Sequence, residues 1–170
     1  MYLETDRLIL RRFRREDLSD LYEYLSDEET VRFEPYLPMD LQKTERELAE
    51  RMESPEMIAV ELKSSGKVIG NLYLGEGMFD SREMGYVFNK GFWGQGYAKE
   101  SCQALIQKTF SEGLHRIYAE CAPCNAPSWN LLESLGFTRE AHFKENVYFW
   151  KDEEGNPIWK DTYVYSLLKR

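Results

Sequence analysis

The sequence predicts an α/β (α+β) fold: a mixed, mostly antiparallel sheet of seven strands flanked by about four helices. Three observations carry that reading. Short apolar runs at 57–62 and 68–74 are joined by Ser64-Ser65-Gly66-Lys67, a polar link of the hairpin kind. A helical period from Gly94 to Ser111 stands between two strand-like runs, as a crossover does. Aromatic and β-branched residues then fill two runs around Asp152-Glu153-Glu154-Gly155-Asn156-Pro157, a closing hairpin.

Leu8-Ile9-Leu10 with Phe13 reads as the first strand, and Leu18, Leu21, Tyr22 and Leu25 follow at the i, i+3, i+4, i+7 spacing of one helix face. Pro35 and Pro38 break the next stretch. Asp40 can cap a second helix with Leu41, Leu48 and Met52 on one side, stopped by Ser54-Pro55. After the first hairpin, Glu83 to Phe88 adds a third antiparallel strand. In the long helix, Ala98, Cys102, Leu105, Ile106, Thr109 and Phe110 keep helical spacing, and Gly113 stands where a left-handed cap residue would. Ile117 to Cys121 is again a strand, and Pro127 pre-sets φ for a short helix ending at Gly136. The order is β-α-α-β-β-β-α-β-α-β-β, and 170 residues suit one domain, 1–170, with a sizeable core.

Lys and Arg number 22 against 30 Asp and Glu, a formal net charge of −8. That field repels phosphate backbones, which argues against nucleic acid, and it favours a cationic small-molecule or peptide amine. Met1-Tyr2-Leu3-Glu4-Thr5-Asp6-Arg7 shows no basic region followed by an apolar stretch, and no segment approaches the ~18 apolar residues of a membrane span. Cys102, Cys121 and Cys124 are too few and too odd in number for a secreted disulfide framework, so a cytoplasmic location is expected.

The densest glycine group is Gly91-Phe92-Trp93-Gly94-Gln95-Gly96-Tyr97-Ala98, between a strand and the long helix. Glycines let the backbone turn and a ligand approach it, while a helix N-terminus offers unpaired N–H groups and about half a positive charge. Such a place suits a diphosphate, although a lone Gly-x-Gly also serves as a tight turn. A second cluster, Asn125-Ala126-Pro127-Ser128 through Glu133-Ser134-Leu135-Gly136-Phe137, again follows a strand; by itself it reads as ordinary helix capping and a Schellman stop.

Together these clusters resemble the GNAT acetyltransferases, nearest the branch with ribosomal-protein N-terminal acetyltransferases. The resemblance covers nearly the whole chain: Glu4-Thr5-Asp6-Arg7-Leu8-x-Leu10-Arg11, Glu83-Met84-Gly85-Tyr86, Trp93-Gly94-Gln95-Gly96-Tyr97-Ala98-x-Glu100 and the Asn125 cluster. It implies acetyl-CoA as co-substrate, no metal, an amine acceptor and a possible homodimer. It places the pyrophosphate on the amides of Gln95, Gly96, Tyr97, Ala98 and Lys99, and the pantetheine arm at Asn125. Two departures stand out: Trp93 replaces a common Gln or Arg, and Lys99 replaces a frequent Thr, so that Lys99 is expected to contribute charge to the phosphate.

The attacking amine must lose a proton, since α-amines titrate near ~8 and lysine near ~10.4. Glu83 is the first candidate base, acting through water, and Glu120 the second. An N–H near Val87, where the family's strand turns from its neighbour, is expected to stabilise the oxyanion. Many GNAT enzymes meet the leaving thiolate with a Tyr at the position of Leu132; the resemblance gives that role here to Ser128. Two rival readings remain. Cys121-Ala122-Pro123-Cys124 has the spacing of a thiol-disulfide oxidoreductase, and the chain could be a non-catalytic acyl-CoA-binding module. The aromatics of the last hairpin, Phe143, Tyr148, Phe149, Tyr163 and Tyr165, are expected to pack in the core and on the sheet face.

Overall fold

A computed structural model describes residues 2–170. The periodic runs fold as β2 (Leu8–Arg11), α1 (Leu18–Leu25), α2 (Leu41–Glu53), β3 (Met57–Leu62), β4 (Val68–Glu76), β5 (Ser81–Phe88), α3 (Tyr97–Ser111), β6 (Arg116–Cys121), α4 (Ala126–Ser134), β7 (Thr138–Lys151) and β8 (Pro157–Leu168). One further strand, β1 (Tyr2–Glu4), precedes them and corrects the expected seven strands to eight. It has no apolar alternation to announce it: tertiary pairing makes it a strand, Leu3 lying opposite Leu10.

The strands form one sheet in the order β1-β2-β3-β4-β5-β6-β8-β7, antiparallel except for β5 with β6. One face packs on α3 and α4 through Leu10, Met84, Leu105, Ile117, Leu132 and Tyr165. The other packs on α1 and α2 through Phe13, Leu21, Tyr24, Leu25, Leu48 and Val87. Each fully buried Leu or Ile stabilises the fold by roughly 1.5–3 kcal/mol relative to exposure. Two details of the helix faces differ from expectation. Tyr24 replaces Tyr22 as the buried tyrosine of α1, and in α2 Leu41 is exposed while Thr44, Leu48 and Arg51 form the buried stripe.

Local signals set the boundaries. Asp40 caps α2, its carboxylate accepting from the Lys43 N–H at 2.8 Å. Gly136, at φ +91°, ends α4, and the Phe137 N–H closes back on the Leu132 carbonyl at 3.0 Å. In the last hairpin Tyr165 is fully buried, but Phe143 and Tyr148 are 47% and 43% exposed, so the packing expected of all five aromatics holds only in part. β7 is an edge strand, and three register shifts along it break the flat ladder that a neighbouring chain could extend.

The feature that positions a site is a split in the sheet. β5 pairs with β6 only over Ser81–Arg116, Arg82–Ile117 and Glu83–Tyr118, yet β5 stays paired with β4 to Phe88 and β6 stays paired with β8 to Cys121. Beyond Glu83 and Tyr118 the facing edges have no ladder between them, which leaves main-chain donors and acceptors open to a ligand.

Candidate functional site

A cavity of about 780 Å³ passes through the sheet at this split. Tyr86, Asn125, Ser128 and Leu132 line it on the α3–α4 face, and Tyr36, Arg51, Glu83 and Glu120 on the α1–α2 face. Gly85 lies between Glu83 and Val87 and leaves the second face of β5 bare where a side chain would project.

The strand's alternation decides which amides face the opening. The Asn89 N–H donates to the Ile69 carbonyl at 2.9 Å, and the β4–β5 register runs without a bulge. Residues 83, 85, 87 and 89 therefore direct their main-chain groups at β4, while Met84, Tyr86 and Phe88 direct theirs at the cleft. The Phe88 carbonyl confirms the phase, accepting from Trp93 Nε1–H at 2.7 Å on the side away from β4. This corrects the expectation for Val87. Its N–H is committed to β4 and its side chain to the cavity wall, and Tyr86 and Phe88 supply the free donors.

At the end of β5 the glycine loop turns into α3. Gly94 and Gly96 sit at φ +73° and +82°, where a side chain would be strained, and Gly96 is the N-cap with no side chain to bond the first turn. The Glu100 N–H makes the first helical bond, to the Gly96 carbonyl, so the N–H groups from Gly96 to Lys99 are free for an anion. Trp93, the departure from the family's Gln or Arg, ties the loop to the strand end. Arg7 does the rest: its Nη1 donates to the Gln95 carbonyl at 3.0 Å, its Nε pairs with Glu100 at 2.7 Å, and it lies 4.3 Å from the centre of the Tyr97 ring. Thr5 Oγ1 also donates to Glu100, at 2.6 Å, so two motif segments 95 residues apart form one clamp. Lys99 is exposed beside a shallow cavity that also holds Glu4, Asp6 and Glu100, apart from the through-sheet cavity.

Ser128 stands in the first turn of α4, whose N-cap is Asn125; the Asn125 side-chain carbonyl accepts the Ser128 N–H at 3.3 Å. The Tyr86 hydroxyl lies 2.9 Å from both the Ser128 carbonyl and the Ser128 Oγ. Tyr86 was legible only as part of a strand motif, because nothing in the sequence says that its hydroxyl reaches Ser128. Burial pushes the Tyr86 phenol well above its ordinary range. Burial likewise raises the Cys121 thiol to about 11, opposite to what a reactive dithiol needs, and all three cysteines are unpaired. The thiol-disulfide reading is not supported.

Across the sheet, the Glu83 carboxyl is raised by burial, by Glu120 and by Glu56. Glu120 is the more exposed of the two candidate bases. Glu34, half-buried on the same wall, is raised by burial to about 7 even though Arg51 and Tyr36 oppose the shift. No group of three or more His, Cys, Asp or Glu residues among those described is arranged to hold a metal ion. No helix among them is long and apolar enough to cross a membrane.

Residues 7–138 match the acetyltransferase (GNAT) domain family. The chain is 33% identical to the uncharacterized N-acetyltransferase YnaD of Bacillus subtilis (strain 168), over 99% of this chain and 98% of that one. It is similar to the crystal structure of a GNAT-family acetyltransferase from Bacillus anthracis, with a TM-score of 0.90, 30% identity and 99% of each chain covered. A spermidine N-acetyltransferase from Vibrio cholerae, solved with CoA and spermine, shares the fold at a TM-score of 0.78 and 20% identity, with 97% of each chain covered. A split sheet, an uncapped glycine-led helix beside it and these likenesses converge: the chain belongs to the GNAT family of acetyltransferases.

Proposed function

We propose that this enzyme transfers the acetyl group of acetyl-CoA to a primary amine by direct attack on the thioester, at the split between β5 and β6. The observation that supports this most is the continuity of one cavity through the sheet, with Asn125 and Ser128 on one face and Glu83 and Glu120 on the other. Acetyl-CoA supplies the acyl donor. The free amides from Gly96 to Lys99, with that of Gln95, suit its diphosphate, and Lys99 adds a mobile charge. Asn125, its carbonyl engaged in capping, keeps its NH₂ for the pantetheine arm. The Tyr86 and Phe88 N–H groups are the fixed donors for a carbonyl oxygen that gains negative charge.

Ser128 is the residue that meets the leaving sulfur. Tyr86 has one hydroxyl proton and two acceptors within reach; when it donates to Ser128 Oγ, the Ser128 proton is released to point elsewhere. On the other face Glu83 takes the proton of the attacking amine through water. Its raised pKa matches that duty better than an unshifted carboxylate would. Glu120 supports the charge without being required.

The acceptor's reacting group is read as a cationic amine. Glu34, Glu47, Glu83, Glu120 and Asp161 line the cavity against Arg51 and Lys160. Thiol release from acetyl-CoA with a panel of amines tests the reading: Ser128→Ala and Glu83→Gln are each expected to lower kcat by on the order of 10²-fold. Unchanged turnover in both variants removes those roles, and CoA binding without acetylation of any amine would favour the non-catalytic module.

A further inference from the structure

Arg51 is the cation that α2 contributes to the cavity lining, and it is held at every nitrogen but one. Its Nε pairs with Glu47 at 2.7 Å, and its Nη1 donates to the Asn71 Oδ1 at 2.8 Å. The Tyr24 hydroxyl donates to that same Asn71 oxygen at 2.9 Å, and the Phe13 ring lies 5.6 Å from the guanidinium. The side chain is 5% exposed. Yet Nη2 has no partner among the described residues and is not sealed from solvent, since Arg12 Nε is the buried side-chain nitrogen without one. Arg51 is among the residues that line the cavity. Clamping so long a side chain in place sacrifices its rotamer freedom and leaves the Nη2 N–H groups without an acceptor from the described residues.

The clamp has a position relative to the chemistry. Asn71 lies opposite Val87 on the register of β4 and β5. Val87 is four residues from Glu83, about 13 Å along a strand, with the bare Gly85 midway. One end of this wall therefore carries the Arg51–Glu47 ion pair with an open Nη2, and the other the Glu83 and Glu120 carboxyls. Glu34 adds no salt bridge to the Arg51–Glu47 pair, and a carboxyl raised to about 7 is partly protonated at neutral pH. Lys160, the other cation lining the cavity, stands four residues along β8 from Val164, the partner of Glu120, and its Nζ lies 5.3 Å from the centre of the Phe149 ring.

We infer that the acceptor is a small amine that also carries a carboxylate, the carboxylate on Arg51 and the amine over Gly85 toward Glu83. This rests on the acetyl-transfer reading and narrows it. A simple polyamine or alkylamine would leave Nη2 without a partner, whereas a carboxylate gives it a charge-assisted hydrogen bond.

The test compares matched pairs on the wild-type enzyme: phenylalanine with phenethylamine, methionine with 3-(methylthio)propylamine, and lysine with cadaverine. Thiol release is expected to show kcat/KM at least about 10-fold higher for the carboxylate-bearing member, carried mainly in KM, as loss of one charged hydrogen bond implies. Arg51→Lys, checked by circular dichroism, is expected to shrink that ratio; should it not fold, the wild-type pairs decide alone. In calorimetry with CoA present, N-acetylphenylalanine is expected to bind and N-acetylphenethylamine to bind at least about 10-fold more weakly. Equal or better use of the decarboxylated amines, or acetylation of other amines alone, overturns the carboxylate anchor while acetyl transfer stands. No thiol release with any amine, together with no selective binding of the N-acetyl amino acid, sinks both.

Discussion

At the residue scale, the proposed activity depends on which atoms can exchange a proton. Ser128 and Tyr86 share hydrogen bonds of 2.9 Å, so they are predicted to act as a unit. Tyr86→Phe should lower kcat by about 10-fold, and the double variant with Ser128→Ala should be little worse than Ser128→Ala alone. Additive losses in steady-state kinetics would show that the two act separately. Glu34 gives a pH prediction for stability. A carboxyl raised in the folded protein holds its proton more tightly there than in the unfolded chain, so its stabilising contribution is complete below about 4.5 and is lost as pH rises through about 7. Glu34→Gln, which mimics the protonated acid, should therefore raise Tm at pH 8 and leave it nearly unchanged at pH 4.5. A variant melting no higher than wild type at pH 8 would contradict this.

At the scale of elements, the start of α3 carries the proposed anion site, and its geometry depends on a left-handed Gly96. Gly96→Ala would pay about 1–2 kcal/mol for that φ and would push a methyl group to 3.4 Å from Arg7 Nη2. The expected result is a lower Tm together with a weaker calorimetric affinity for CoA; unchanged affinity would separate the loop from the phosphates. Most elements were legible in the sequence because their signals are local: Asp40 as a cap, Gly113 and Gly136 as stops, the helical period of α3. What was not legible depended on contacts between distant segments. β1 exists because β2 offers it an edge, and Tyr24 rather than Tyr22 is buried because its hydroxyl meets Asn71. The Arg7–Glu100 clamp and the Tyr86–Ser128 contact join residues 93 and 42 positions apart. The phase of β5 also escaped the sequence, since only the register with β4 tells whether Val87 or its neighbours face the cleft. Arg51 was hidden for a different reason: an arginine on an amphipathic helix reads as a solvated charge until its clamp is seen.

At the scale of the whole molecule, the sheet is continuous except where β5 and β6 separate, and the two layers of helices contribute different halves of the site to that gap. The α3–α4 layer brings a helix terminus and a hydroxyl; the α1–α2 layer brings carboxylates and one fixed guanidinium. The proposed function then has acceptor and donor arrive from opposite faces without competing for space. The most direct measurement is a crystal structure of the protein with CoA bound. It should show the diphosphate on the amides from Gln95 to Lys99, the pantetheine arm between β5 and β6, and the sulfur within hydrogen-bond reach of Ser128 Oγ. CoA bound elsewhere, with the split between Glu83 and Cys121 closed by the protein's own side chains, would contradict the account.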